Sequence, residues 1–177
     1  MSIITGRGDS GETDLLFGKR IPKGSLRVTC LGAVDELNAA LGVARAETAE
    51  GDWVELVDKI QSKLVGLMGQ LAVLPEDEAL YQEKGYAMIA DEDVEWLKNE
   101  AQAYEKRGVR FEGWARPGEE GCRARAQIDL ARTIARRAER TVWSLHESGE
   151  VVPEAVRLFL NRISDLLWIL ARVEPDA

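Results

Sequence analysis

The chain has 177 residues, 45% of them hydrophobic and 31% charged, with a net charge of −8. That length suits one domain, taken as residues 1–177, with a sizeable core. The acidic balance argues against a nucleic-acid partner. No apolar run approaches the ~20 residues that cross a bilayer, and the N-terminus carries no signal-peptide pattern, so the expected setting is cytoplasmic, away from membranes. Cys30 and Cys122 stand far apart and fit a reducing compartment, and a single histidine, His146, leaves almost no material for a metal site or a triad.

In chain order, the first feature is residues 5–13, Thr5-Gly6-Arg7-Gly8-Asp9-Ser10-Gly11-Glu12-Thr13. Three glycines, hydroxyls and a carboxylate can bend tightly and turn backbone N–H groups toward one point, as in phosphate cradles. Gly6, Gly8 and Gly11 match G-x-G-x-x-G, but too few residues precede them for a strand and no parallel sheet follows, so the dinucleotide fold is rejected. Arg7-Gly8-Asp9 reads as part of the loop and not as an adhesion signal. A loop that binds nothing is the competing reading.

Five helices follow. The first spans 25–48, with Ser25 as N-cap and Leu31, Val34, Leu37, Leu41 and Ala44 on one face, beside Asp35, Asn38, Gly42 and Arg45; Gly51 ends it. The second runs over 52–74 with Val57, Ile60, Leu64, Leu67 and Leu71, up to Pro75. Residues 75–90 read as an acidic surface connection. A third helix covers 91–107 with Val94, Leu97, Ala101 and Tyr104. Residues 108–121 hold Phe111, Gly113, Trp114, Pro117 and Gly118, and a turn with Trp114 capping the core is the simpler reading.

The fourth helix, 123–148, stacks Arg132, Arg136 and Arg140 at four-residue steps, with Arg125 extending the row and Arg137 and Glu139 beside it. Like charges at this spacing cost stability unless an anion faces them. The fifth helix starts near Pro153 and continues to the C-terminus through Val156, Phe159, Ile163, Leu166, Leu170 and Val173. Asn161, Asp165 and Trp168 share its second face; they read either as a partly buried network served by the arginine row or as a register device. The architecture expected is all-α: an up-and-down helical bundle preceded by a glycine-containing loop.

These residues together resemble the PduO-type corrinoid adenosyltransferases. Thr5-x-x-Gly8-Asp9-x-Gly11-x-Thr13 is similar to the family's T-R/K-x-G-D-x-G-x-T loop, followed by Lys23. Arg27-Val28-x-x-x-Gly32-x-Val34-Asp35-Glu36-Leu37-Asn38 resembles R-V-x-x-x-G-x-V-D-E-L-N. Ala131-Arg132-Thr133 through Arg136-Arg137-Ala138-Glu139-Arg140 resembles A-R-T-x-x-R-R-A-E-R, and Leu160-Asn161-Arg162-Ile163-Ser164-Asp165 resembles L-N-R-L-S-D.

The resemblance implies a ferritin-like five-helix bundle that transfers adenosyl from ATP to reduced cobalamin, as a homotrimer with active sites between subunits. It implies that Thr5, Arg7, Gly8, Asp9, Gly11, Thr13 and Lys23 wrap the triphosphate, with Arg136, Arg137, Glu139 and Asn161 completing the ATP site. Asp35 and Arg132 would pair across subunits beside the corrinoid, against which Trp114 and Trp168 would pack; Arg132, Arg136 and Asp35 form the catalytic set. Co(I) is itself the nucleophile toward C5′, so the protein supplies alignment and charge stabilisation, with Mg²⁺ and with no protein metal ligand assigned. A reductase and an adenosylcobalamin-dependent acceptor enzyme are the expected partners. Four positions depart from the family pattern: Gly6 where a basic residue is usual, Trp114 and Trp168 where it has Phe, and Glu119 in place of a Gly. A non-catalytic trimer that carries or senses ATP or adenosylcobalamin is the competing class, ahead of a purely structural bundle.

Overall fold

The computed structural model describes residues 4–47, 52–109, 113–119 and 121–173. Thr48, Gly51 and Phe111, used in the sequence reading, lie outside the described residues. A short antiparallel hairpin, β1 (Glu12–Asp14) and β2 (Arg20–Pro22), precedes the helices and pairs Thr13 with Ile21. The helices are α1 (Leu26–Ala46), α2 (Asp52–Leu71), α3 (Glu78–Glu83), α4 (Asp91–Glu105), α5 (Arg123–Glu147) and α6 (Glu154–Leu170).

Local chemistry accounts for most of these boundaries. The Ser25 hydroxyl accepts from the Val28 N–H at 3.4 Å, as an N-cap should. At the far end of α5, Gly149 takes a left-handed φ of 94°, a conformation glycine adopts without a Cβ penalty. Two expectations are corrected. The second helix ends at Leu71, before Pro75, because the carbonyls of Leu71 and Val73 turn to accept from the buried Arg27 guanidinium at 2.9 and 3.0 Å. The acidic connection is not structureless: α3 forms within it and buries Tyr81, whose hydroxyl donates to the Ala87 carbonyl at 2.7 Å. Acidic composition hid that helix because one aromatic anchor carries its packing.

Packing places α1 between α2 and α5, and α6 between α5 and α4. Side chains of α2 and α4 close the ring: Lys63 pairs with Asp93 at 2.6 Å, and the Lys59 ammonium lies 4.1 Å from the Trp96 ring centre. Cys30 donates to the Thr141 carbonyl and Glu47 pairs with Arg123, so α1 and α5 are antiparallel. Asp129 against Arg172 and Trp143 against Arg157 show the same for α5 and α6. The helices thus alternate up and down. Leu37, Leu41, Ile60, Leu64, Leu67, Ile128, Phe159 and Ile163 are fully buried inside the ring, each contributing about 1.5–3 kcal/mol. No helix among the described residues is long and apolar enough to cross a membrane.

Candidate active site

The glycine loop is folded back on itself. Asp9 N–H donates to Gly6 O at 3.1 Å, Gly11 N–H to Gly8 O at 3.2 Å, and Lys23 N–H to Gly11 O at 2.9 Å. Gly6 and Gly11 have φ of 68° and 87°, so side chains there would strain the turn. Gly8 serves differently: a Cβ would sit 2.8 Å from the Lys23 ammonium, which is drawn across the loop. Thr5 accepts from the Arg7 N–H through Oγ1 at 3.4 Å, and Thr13 lies within β1.

Arg20, which the sequence reading passed over, organises this loop. Its guanidinium reaches Glu12 at 3.2 Å and Asp14 at 2.8 Å and donates to the Arg7 carbonyl at 2.9 Å, while the Arg7 side chain shares Asp14 at 3.1 Å. Glu12, and then Asp14, raise the Arg20 pKa further above its ordinary value. The signal was present in the alternation of charge on two short strands, but the strands themselves were too short to read.

The hairpin sits at the C-terminal end of α5. Pro22, Ser25 and Arg27 share a cleft of about 290 Å³ with Leu145, Ser148 and Glu150. Arg27, only 4% exposed, also reaches Glu150 at 2.5 Å. Arg136 lies twelve residues back from Ser148, about 18 Å along the helix at 1.5 Å per residue.

Along α5, each arginine meets a different fate. Arg132 is held through Nε by Asp129 at 2.5 Å, and Arg137 pairs with Glu36 of α1. Arg136 is exposed and has no side-chain partner among the described residues, as is Asp35, level with it on α1. The α5–α6 register puts half-buried Asn161 level with half-buried Glu139. Asp165 corrects an expectation: it is exposed and paired with Arg162 at 3.0 Å, one turn back on its own helix, not with the arginine row. Trp114 corrects another, being 86% exposed and so no cap on the core. Trp168 is half-buried beneath the Arg172 guanidinium, 4.4 Å from its ring centre.

Neither cysteine joins this site. Burial pushes the Cys30 thiol up to about 11, against an opposing pull from Arg27. Burial also opposes ionisation of Cys122, but hydrogen bonds from the Arg125 backbone and guanidinium outweigh it and lower its pKa.

The structure therefore spreads the expected site residues along one helix, with Asp35, Arg136, Glu139 and Asn161 level with its middle. Lys23 and the glycine loop lie by the C-terminus of α5; Arg132 and Trp168 lie toward its N-terminus, where Gly118 of the Trp114 loop packs near Ala126. A ring of up-and-down helices with a glycine-lysine loop at one end and an arginine row leading away from it defines an all-α helical-bundle protein.

The chain belongs to the cobalamin adenosyltransferase family, whose model matches residues 3–174. It is 37% identical over 172 residues, 97% of this chain and 86% of the relative, to a cobalamin adenosyltransferase of Cupriavidus metallidurans. It is 35% identical over 173 residues, 98% of this chain and 86% of the relative, to a corrinoid adenosyltransferase of Bacillus subtilis. Among solved structures, it resembles a variant PduO-type ATP:corrinoid adenosyltransferase from Lactobacillus reuteri complexed with cobalamin and ATP. That match has a TM-score of 0.82 and 28% identity, covering 97% of this chain and 92% of the other.

Proposed function

We infer that this chain transfers the 5′-deoxyadenosyl group of ATP to the cobalt of a reduced corrinoid, releasing triphosphate. The observation that carries the reading is the match over nearly the whole chain to relatives named for that activity, with the arginine and asparagine motifs present and the loop motif departing only at Gly6. The glycine loop and Lys23 take the triphosphate: turned backbone N–H groups and an ammonium stabilise charge that grows as the leaving group departs. Arg136, without a side-chain partner among the described residues, adds a cation to that charge, and Arg137, Glu139 and Asn161 complete the ATP pocket. Of the two exposed carboxylates in the loop, Glu12 is paired with Arg20 and Asp9 is left to meet a Mg²⁺ carried on the nucleotide, where phosphates and water supply most ligands. Reduced cobalt supplies the nucleophile, so the protein's task is alignment.

Arg136 stands about 18 Å along α5 from Ser148, beside the hairpin, which fits a homotrimer in which the loop of one subunit faces the arginine row of its neighbour. Asp35 and Arg132 then meet across that boundary, and Trp114 and Trp168 bear on the corrinoid. A cytoplasmic setting with a reductase and an adenosylcobalamin-dependent acceptor enzyme belongs to the same reading. The test is an anaerobic assay with chemically reduced cobalamin, ATP and Mg²⁺, following the Co(I) absorbance band. ATP-dependent decay to adenosylcobalamin is expected. Tight binding of ATP or adenosylcobalamin without turnover would assign a carrier or sensor instead.

A further inference from the structure

We propose that Asp129 and Arg172 are positioning residues that lock Arg132 and the Trp168 ring into one unit on the corrinoid side of the site, an inference that rests on the function proposed above. Neither residue belongs to the motifs by which the sequence was read. Asp129 is 3% exposed and divides its two oxygens between two arginines: Oδ1 takes Arg132 Nε at 2.5 Å and Oδ2 takes Arg172 Nη2 at 3.3 Å. Arg172, 7% exposed, also donates through Nη1 to the Trp168 carbonyl at 2.9 Å and stacks on the Trp168 ring. The result is a continuous chain, Arg132–Asp129–Arg172–Trp168, across α5 and the end of α6.

Burying such ions gives little net stability against well-packed apolar residues of similar size. What the chain does achieve is placement, because both of its ends come out of the core. The Arg132 side chain is 21% exposed, and among the described residues only its Nε is engaged. Its two terminal nitrogens therefore remain for a group from outside the chain, which in the trimer proposed above is the Asp35 carboxylate of the neighbouring subunit beside the corrinoid. At the other end, the flat guanidinium fixes the plane of a ring larger than the family's usual Phe. A lysine would keep the charge opposite Asp129 but would lose both the planar stack and the fork geometry. A shift of the ring would then misplace whatever packs on it, without disturbing the distant loop.

The test compares wild type with Arg172→Lys, measuring KM for cobalamin and for ATP separately, the EPR signal of four-coordinate Co(II)-cobalamin bound with ATP, and the melting temperature. The expected result is a folded variant whose KM for cobalamin rises about tenfold, whose KM for ATP is unchanged, and whose four-coordinate signal shrinks. If Arg172→Lys does not fold, Arg172→Gln, with a planar amide that can still donate to the Trp168 carbonyl, is measured for the same split. A folded variant with unchanged cobalamin KM and EPR signal overturns the inference, as does an equal rise in both KM values. A wild type that neither binds nor adenosylates cobalamin overturns the proposed function, and this inference with it.

Discussion

The two ends of the bundle hold their charges in opposite ways. At the hairpin, Arg7, Arg20, Glu12 and Asp14 form a network on exposed strands, where water and salt screen each pair. Toward the N-terminal half of α5, Asp129 is buried between Arg132 and Arg172, where no water can replace a lost partner. The first arrangement is soft and can yield its cations to a triphosphate; the second is stiff and can hold a large ring in place. Between them, Arg136 belongs to neither network.

That contrast predicts which substitutions damage activity and which damage the fold. Arg136→Ala should have the largest effect on turnover, roughly a hundredfold or more in kcat, with unchanged urea unfolding, since no protein partner is lost. Near-normal decay of the Co(I) band would remove Arg136 from the charge-stabilising role. Asp129→Ala should act on the fold first, destabilising it by about 3–5 kcal/mol because Arg172 is left buried without its counter-charge. An unfolding midpoint equal to wild type would show that water or another group reaches Arg172, and the stiff end would no longer be stiff. Arg20→Ala should leave unfolding unchanged while raising KM for ATP, and the wild-type advantage should shrink as salt is added. A salt-independent difference would mean that the hairpin acts through shape and not charge. Trp114→Ala should be the mildest for stability, within about 0.5 kcal/mol for so exposed a residue, yet it should diminish the four-coordinate Co(II) signal. An unchanged spectrum would leave Trp114 without a role at the corrin.

Much of this was legible in the chain. Helix periodicity located α1, α2, α4, α5 and α6, since each buries one continuous apolar stripe, and Ser25 and Gly149 marked their ends as cap chemistry requires. The α3 helix was missed because Tyr81 alone anchors it, and no period can be read from one residue. The glycine loop was legible as a tight turn, but its dependence on Arg20 was not, because that network closes only when two three-residue strands pair. Helical spacing put Asp165 on a shared face with Asn161 and left open whether the arginine row serves it; spacing gives the face of a helix but not the rotation that carries that face into solvent.

By itself, the sequence determined the family and the five long helices, because local period and motif order are properties of a linear chain. Tertiary structure alone decided where those residues stand. The antiparallel register of α1 and α6 against α5 separates the loop from Arg132 and Trp168, and it brings Arg172 onto the buried carboxylate of Asp129, 43 positions away in sequence. Contacts of that kind depend on which helix faces are turned toward each other, and helix packing sets that only after the chain has folded.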